Sequence, residues 1–306
     1  MLKTVYIIEK KDKRHSDAVT AEMTRTVESL REEGFASGIL TADSALQAAE
    51  TAAGAAVGAE AGTLYLCECG SVLRELLDRG ACAIGYAHAD NAGESFSGAP
   101  YIVQEPDLVE ADSYVKMYQR GAGLPWTILE TERCLVREFT AADLDGIYAL
   151  YDGQARTFLQ PPSDDRAHER EILSAYIQRI YGLYGFGHWA VISKEEPGAL
   201  IGRVGYSAIT DRQEREAQAL GIPLPDVDFG FLIGAPWRGR GIAEEVCRAL
   251  LRYGISEIGF TCIRADARND NAASIRLLTK LGFEAEGSCI PEKEGEPADK
   301  TLFILR

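Results

Sequence analysis

The stretch VDFGFLIGAPWRGRGIAEE, from Val227 to Glu245, decides the fold of the second half of the chain. It predicts a buried strand, then a turn, then a glycine-rich loop that opens a helix. Gly239 and Gly241 permit backbone conformations that turn several N–H groups toward one point, where the helix N-terminus adds partial positive charge. Arg238 and Arg240 add guanidinium groups, which bind phosphate well. The loop therefore predicts an anion site that suits a diphosphate.

Two motifs of this region resemble one enzyme family. The segment RGRGIA, residues 238–243, matches the R/Q-x-x-G-x-G/A signature of the GNAT superfamily of N-acetyltransferases, and it lies between a predicted strand and a predicted helix as in that family. The segment NDNAASIRLLTKLGF, residues 269–283, resembles the family's N-x-x-S-x-x-L-x-x-K-x-G-F helix. The resemblance extends over residues 133–306. Within the family, GFGHWAV (185–191) and LIGRVG (200–205) are most similar to the ribosomal-protein N-terminal acetyltransferases.

The resemblance implies that acetyl-coenzyme A is the co-substrate and that no metal is needed. In this family the strand before the loop splays from its neighbour, and its exposed backbone groups pair with the pantetheine arm like an added strand. The loop amides then hold the pyrophosphate, and Asn271 contacts the coenzyme near its thioester. The implied coenzyme-binding residues are Phe231, Leu232, Ile233, Arg238, Gly239, Arg240, Gly241, Ile242, Ala243 and Asn271.

The resemblance also implies direct attack of an amine on the thioester, which needs a base for the amine and a proton for the leaving thiolate. Asp228 stands where the ribosomal-protein branch often has a glutamate, so it is the candidate base; its alternative role is to orient a substrate ammonium or cap a loop group. Leu278 occupies the position where many members carry a tyrosine. Ser274, on the same helical face as Asn271, is either a hydrogen-bond donor to the sulfur or a packing residue.

Composition and charge limit the classes of partner. A net charge of −15 repels phosphate backbones, which argues against nucleic acid or an anionic membrane. No segment approaches the roughly 20 apolar residues of a membrane span. Seven cysteines without paired C-x-x-C spacing predict reduced thiols in a cytoplasmic protein. The four histidines, His15, His88, His168 and His188, show no ligand spacing, so no metal site is expected.

The predicted fold class is α/β in both halves of the chain. In residues 1–122, β-branched and aromatic runs alternate with helical stretches, which predicts a small parallel α/β domain. Residues 123–132 predict a linker, and residues 133–306 a GNAT-type mixed β-sheet flanked by helices. The first domain faintly resembles the haloacid-dehalogenase fold, but the D-x-D-x-T/V motif of that family is missing. We therefore predict a structural, regulatory or partner-binding role for it and no phosphatase activity.

Two local patterns in the second half give further predictions. Thr140 followed by Asp143 resembles a capping box, with Asp in place of the usual Glu, and predicts a helix start. The acidic segment from Asp211 to Pro225 predicts a surface loop, and the alternative is a mobile segment that gates entry of the acceptor.

The family resemblance implies one of two functions, which belong to different classes. The first is an N-acetyltransferase that moves the acetyl group of acetyl-coenzyme A to a primary amine, on a small molecule or a protein N-terminus. The alternative, motivated by Leu278, is a catalytically inactive module that binds acetyl-coenzyme A and reports coenzyme status through the first domain.

Overall fold

The chain forms two compact units, Met1–Trp126 and Thr127–Arg306. The structure, a computed structural model, describes residues 1–10, 15–53, 62–290 and 299–306. The predicted linker, residues 123–132, contains the boundary between the units. Its residues 127–130 are a strand of the second unit rather than irregular chain.

The first unit alternates strands and helices along the chain. Its elements are β1 Thr4–Glu9, α1 Asp17–Glu32, β2 Ala36–Thr41, α2 Ala42–Ala53, β3 Thr63–Cys67, α3 Gly70–Asp78, β4 Ala83–Tyr86, β5 Ile102–Val103 and α4 Ala111–Gly121, with short 3-10 helices at Ala89–Asn91 and Pro106–Leu108. The five strands form a parallel sheet in the order β2-β1-β3-β4-β5. Parallel neighbours need crossover connections, which the helices provide.

Apolar clusters cover both faces of this sheet. Ile7 and Ile8 are successive residues of β1, so their side chains point to opposite faces. Ile7 packs in one cluster with Met23 of α1, and Ile8 packs in another with Leu73 of α3. Near-continuous apolar strands are expected when a parallel sheet is buried on both sides.

The second unit is built on an eight-stranded sheet. Its elements are β6 Thr127–Glu130, β7 Cys134–Arg137, α5 Leu144–Leu150, α6 Gly153–Phe158, α7 Arg166–Tyr184, β8 His188–Ser193, β9 Leu200–Ser207, α8 Asp211–Leu220, β10 Val227–Ile233, α9 Ile242–Tyr253, β11 Ile263–Arg268, α10 Ala272–Leu281, β12 Glu284–Ser288 and β13 Lys300–Leu305. The strand order is β12-β13-β11-β10-β9-β8-β7-β6, and β10 and β11 are parallel while the other pairs are antiparallel. The predicted fold class is confirmed.

Two helix starts in this unit use capping boxes. The predicted box at Thr140 and Asp143 is confirmed: it opens a 3-10 turn that leads into α5. The predicted loop at 211–225 is wrong over most of its length, because Asp211–Leu220 forms α8. Thr210 and Gln213 form the second capping box, and this satisfies backbone donors at the start of α8.

The strands β10 and β11 are neighbours only at their first residues. Their parallel pairing ends at Asp228 and Arg264. β10 continues to pair with β9 as far as Ile233, and β11 with β13 as far as Arg268. The two strands therefore diverge in the middle of the sheet, as the family resemblance implies. Beyond Asp228, the edge of β10 that faces β11 has no ladder partner among the described residues.

All seven cysteines are free thiols with buried side chains. Burial raises the pKa of Cys67 and of Cys247 far above the usual range, so both are neutral packing groups. Along the described ranges, no helix combines the length and the apolar character needed to cross a membrane.

Candidate active site

A cavity of about 510 Å³ opens where β10 and β11 diverge. This volume is typical of small-ligand sites. Its walls come mainly from α6, β10, the loop before α9 and the start of that helix, the end of β11 and the first two turns of α10, and single residues of β8, β9 and β13 complete them. Of the predicted site residues, those that line the cavity are Asp228, Phe231, Leu232, Ile233, Arg238, Gly239, Gly241, Ile242, Ala243, Asn271 and Ser274.

The loop before α9 has the geometry of an anion site. Gly239 and Gly241 adopt φ angles of 72° and 78°, in the left-handed region that L side chains rarely enter. Gly241 directly precedes α9, and within the described part of the chain no side chain caps this helix. The first amides of α9 are thus available to an external acceptor, and the helix dipole favours an anion there.

The guanidinium groups of the two loop arginines are held by contacts within the protein. Arg238 donates to the carbonyl oxygen of Ile233 at 2.8 Å and to both carboxylate oxygens of Asp152 at 3.0 Å. Arg240, the predicted site residue outside the cavity lining, pairs with Glu195 at 2.5 Å. A phosphate would compete with these carboxylates for the guanidinium groups. The backbone amides of the loop are therefore the better placed donors.

A buried arginine, Arg264, lies beside Asp228 where the two strands separate. Its guanidinium contacts three carboxylates: Asp228 at 2.5 Å, Glu216 at 2.7 Å and Asp266 at 3.0 Å. The side chains of Arg264 and Glu216 are each 1% exposed, and that of Asp228 is 26% exposed. Arg264 was not among the site residues predicted from the sequence. The available signal was IRADAR, in which charged residues alternate along a strand that is otherwise part of the core.

The surroundings of Asp228 change its acidity. Burial raises the pKa of Asp228 to about 6; the Arg264 guanidinium opposes this rise, and the Asp266 carboxylate adds to it. Gln213 of α8 also donates a hydrogen bond to Asp228. At neutral pH this carboxylate is ionised, yet it accepts a proton more readily than an exposed aspartate does.

His188 is a second residue that the sequence analysis did not place in the site. Its imidazole lines the cavity, and Nε2 lies 3.2 Å from the Ser207 hydroxyl. Nδ1 is buried without a hydrogen-bond partner in the described part of the chain. Burial lowers the pKa of His188 to about 3, so the ring is neutral at physiological pH. A Cβ added at Gly230 would lie 3.0 Å from the ring, which explains the glycine in VDFGF.

The start of α10 positions the other predicted residues. The Asn271 carboxamide oxygen accepts the Ser274 amide at 3.2 Å and so caps the helix. Both side chains border the cavity. Leu278, one turn further on, is 1% exposed and belongs to the apolar core. A hydroxyl that could reach a ligand at this helix therefore comes from Ser274 and not from position 278.

Comparison with known proteins gives this site a family context. The family model described as "Acetyltransferase (GNAT) domain" matches residues 133–284. The chain is 31% identical over 184 residues to the uncharacterized N-acetyltransferase YoaA of Bacillus subtilis, across 58% of this chain and 96% of that protein. It is 26% identical to the uncharacterized N-acetyltransferase p20 of Bacillus licheniformis, across 58% of this chain and 94% of that protein.

Among solved structures, the ribosomal-protein-S5-alanine acetyltransferase from Vibrio fischeri is similar at a TM-score of 0.47 and 19% identity, over 58% of this chain and 94% of that one. The family match, at residues 133–284, lies on the unit that contains the cavity. By this match and that to the Bacillus subtilis relative, the chain belongs to the GNAT family of acetyltransferases.

Proposed function

We propose that the protein transfers the acetyl group of acetyl-coenzyme A to a primary amine in the cavity between β10 and β11. The observation that carries the proposal is the position of Asp228. This carboxylate lies at the point where the two strands separate. The same cavity contains the glycine loop and the edge of β10, which has no strand partner there among the described residues. A proton acceptor, an extended groove and an anion site thus share one cavity.

The cavity lining supports an acyl-coenzyme A thioester as co-substrate. In this proposal Phe231 to Ile233 lie along the pantetheine arm, the loop amides of residues 238–243 hold the pyrophosphate, and Asn271 lies near the thioester. Two features favour this fit: the φ angles of the loop glycines, and the start of α9, which no side chain caps in the part of the chain that the structure describes. When bound, acetyl-coenzyme A supplies the acetyl group as an activated thioester.

Direct transfer to an amine forms one C–N bond and breaks one C–S bond. The amine loses a proton, and the departing sulfur takes one up. We assign acceptance of the amine proton to Asp228, through a water because its side chain is short. The Ser274 hydroxyl is the proposed hydrogen-bond donor to the sulfur, since it borders the cavity and Leu278 does not.

The charge around Asp228 favours a cationic acceptor. Three carboxylates, Asp228, Asp266 and Glu216, surround the single guanidinium of Arg264. Asp266 also pairs with Lys300 at 3.6 Å, so these three carboxylates face two cations, and the negative charge that remains attracts an ammonium group. The likeness of GFGHWAV and LIGRVG to the ribosomal-protein branch makes a protein N-terminus our first acceptor class and a small-molecule amine the second. Seven free thiols suit a reducing compartment, so we place this activity in the cytoplasm.

Coenzyme binding is tested by thermal unfolding of the full chain with and without acetyl-coenzyme A. A ligand at about 100 times its dissociation constant stabilises its protein by about 2.7 kcal/mol. Gly241→Leu should abolish the shift, because a side chain there is strained and borders the cavity. Gly198→Leu is the matched control: φ is 87° in an exposed turn, so the strain is similar and the shift should remain. A wild-type protein without a shift at millimolar coenzyme would sink the proposal.

Turnover is tested separately with a panel of amines. The panel contains a short peptide with a free N-terminus, an amino acid and a polyamine, and mass spectrometry detects one added acetyl group. Acetylation of any member supports the proposal. A thermal shift without acetylation of any amine would instead favour the inactive coenzyme-binding module.

A further inference from the structure

Three side chains of the first unit converge at one edge of its sheet. His15 directly precedes the N-cap of α1, Glu68 directly follows β3, and His88 follows β4. His15 Nε2 lies 3.3 Å from Glu68 Oε2, and His88 Nε2 lies 3.0 Å from the same oxygen. Their side chains are 7%, 1% and 2% exposed in chain order. We call this group the His–Glu–His cluster.

The cluster lies at the place where open parallel sheets bind ligands. In the order β2-β1-β3-β4-β5, the chain leaves β1 toward β2 on one side and continues from β3 toward β4 on the other. A crevice forms at the carboxyl ends of the two strands where the direction changes, and ligands of such sheets bind there. His15 comes from the connection after β1, and Glu68 from the end of β3.

His15 supplies a separate sign of a missing partner. Within the described ranges, neither nitrogen of this buried ring makes a hydrogen bond, although Nε2 lies close to the Glu68 carboxylate. Buried polar groups nearly always have a hydrogen-bond partner, so a buried imidazole without one indicates that a ligand or an ion binds there. Glu68 is well fixed to present Oε2, because its other oxygen, Oε1, accepts the backbone amide of Lys10.

The donor set matches a transition metal. Zinc binds imidazole nitrogen and carboxylate oxygen at about 2.0–2.2 Å, which puts neighbouring ligand atoms of a tetrahedral site about 3.3 Å apart. The two nitrogen-to-oxygen distances in the cluster agree with this spacing, and all three ligand atoms lie within 4.8 Å of one another. Two nitrogen donors disfavour magnesium and calcium, which prefer oxygen.

We propose that His15, Glu68 and His88 bind a divalent transition metal of the zinc type, with three protein ligands and one position open to water or a substrate. The linear spacing of the histidines had predicted no metal site. Spacing along the chain does not exclude such a site, because ligands of a parallel sheet come from successive strand ends that are distant in sequence but adjacent in space.

The residues around His88 show what must change on metal binding. Asn91 Nδ2 donates to the carbonyl oxygens of Glu68 and Tyr86, and this contact holds the two loops together. The amide of Asp90 donates to His88 Nδ1 at 3.2 Å, which leaves the ring proton on Nε2, facing Glu68. A metal at Nε2 displaces that proton to Nδ1, so the Asp90 amide contact must open.

The test uses the 306-residue chain after treatment with a chelator. Equilibrium dialysis against zinc chloride, followed by metal analysis, should give saturation at one equivalent per chain. His15→Gln, Glu68→Gln and His88→Gln should each weaken binding by about tenfold or more. His168→Gln is the control, because His168 is exposed on α7 in the second unit and should bind no metal. Hydrogen exchange at the Asp90 amide should rise when zinc is added.

Two results would overturn the proposal. One is the absence of saturable zinc binding in the wild-type protein. This result contradicts the metal site even if a variant fails to fold. The other is zinc binding that is unchanged in all three cluster variants. The coenzyme-induced thermal shift should be the same in these variants as in the wild type, so failure of the metal site leaves the acetyltransferase proposal intact.

Discussion

Asp228 and Arg264 form the last pair of the β10–β11 ladder, and their side chains form an ion pair of 2.5 Å at that same point. The end of strand pairing thus coincides with Asp228, a charged residue that lines the cavity. Arg264 is also bound to Glu216 of α8, so the helix that the sequence analysis missed is part of the support for the candidate base.

Asp228→Asn should lower kcat/KM by about 10²–10⁴, the usual loss when a general base is removed. The coenzyme-induced thermal shift should persist, since the loop amides are unchanged. Asp226→Asn is the matched control, because Asp226 directly precedes β10. Its carboxylate accepts hydrogen bonds from the backbone amides of Thr261 and Cys262, and it does not line the cavity. Wild-type turnover in Asp228→Asn with every amine would show that the base assignment is wrong.

The pH dependence of activity should report the pKa of Asp228, which burial raises to about 6. The base works only when it is deprotonated, so log kcat/KM for acetyl-coenzyme A should rise with unit slope below about pH 6 and level off above it. Asp266→Asn removes a negative charge that raises this pKa, so the midpoint should move to lower pH. Asp270→Asn, an exposed residue paired with Arg268, should leave the midpoint unchanged. If the midpoint is the same in Asp266→Asn as in the wild type, the group that titrates is not Asp228.

Arg264→Met should destabilise the second unit by about 3–5 kcal/mol, because it leaves Glu216 buried without its guanidinium partner. Urea unfolding followed by circular dichroism measures the loss. Arg248→Met removes an exposed pair with Glu244 and should cost at most about 1 kcal/mol. Equal losses in the two variants would mean that the buried network contributes no special stability.

Ser274→Ala should lower kcat by about tenfold, the value of one hydrogen bond to a developing thiolate. KM for acetyl-coenzyme A and the thermal shift should stay near wild type, because the Asn271 cap uses the Ser274 amide and not its hydroxyl. Thr279→Ala, also on α10, tests the nonspecific effect of losing a hydroxyl, since Thr279 bonds back to Ile275 on the exposed side. An unchanged kcat would assign Ser274 to packing.

Sequence patterns predicted the features that depend on local chemistry. The glycine loop, the strand before it and the capping box at Thr140 are fixed by neighbouring residues, so their signals lie within a few positions of one another. The segment DRQEREAQAL of α8 contains few apolar residues. It therefore lacks the apolar periodicity that predicts a helix, because its buried face includes polar residues such as Glu216. Its capping box, Thr210 with Gln213, was a readable signal.

The missed site residues are ones whose role depends on distant partners. Arg264 is stabilised by Glu216 and Asp228, from two other elements, and neither partnership is visible in the local pattern IRADAR. His15 and His88 lie far apart in sequence and meet only because β1, β3 and β4 are neighbours. The likeness of the first unit to haloacid dehalogenases and the roles of the predicted site residues stay predictions.

The divergence of β10 and β11 also has a consequence for solubility. An unpaired strand edge on a protein surface invites other chains to add to the sheet and aggregate. Here the open edge faces β11 across a cleft in the interior of the sheet, not at its rim. A β-strand from another chain could enter this cleft only if the cleft were wide enough for a full inter-strand spacing and for the side chains on both faces of that strand. The backbone groups on this edge of β10 are therefore accessible to a narrow ligand but protected from pairing with a strand of another copy of the protein.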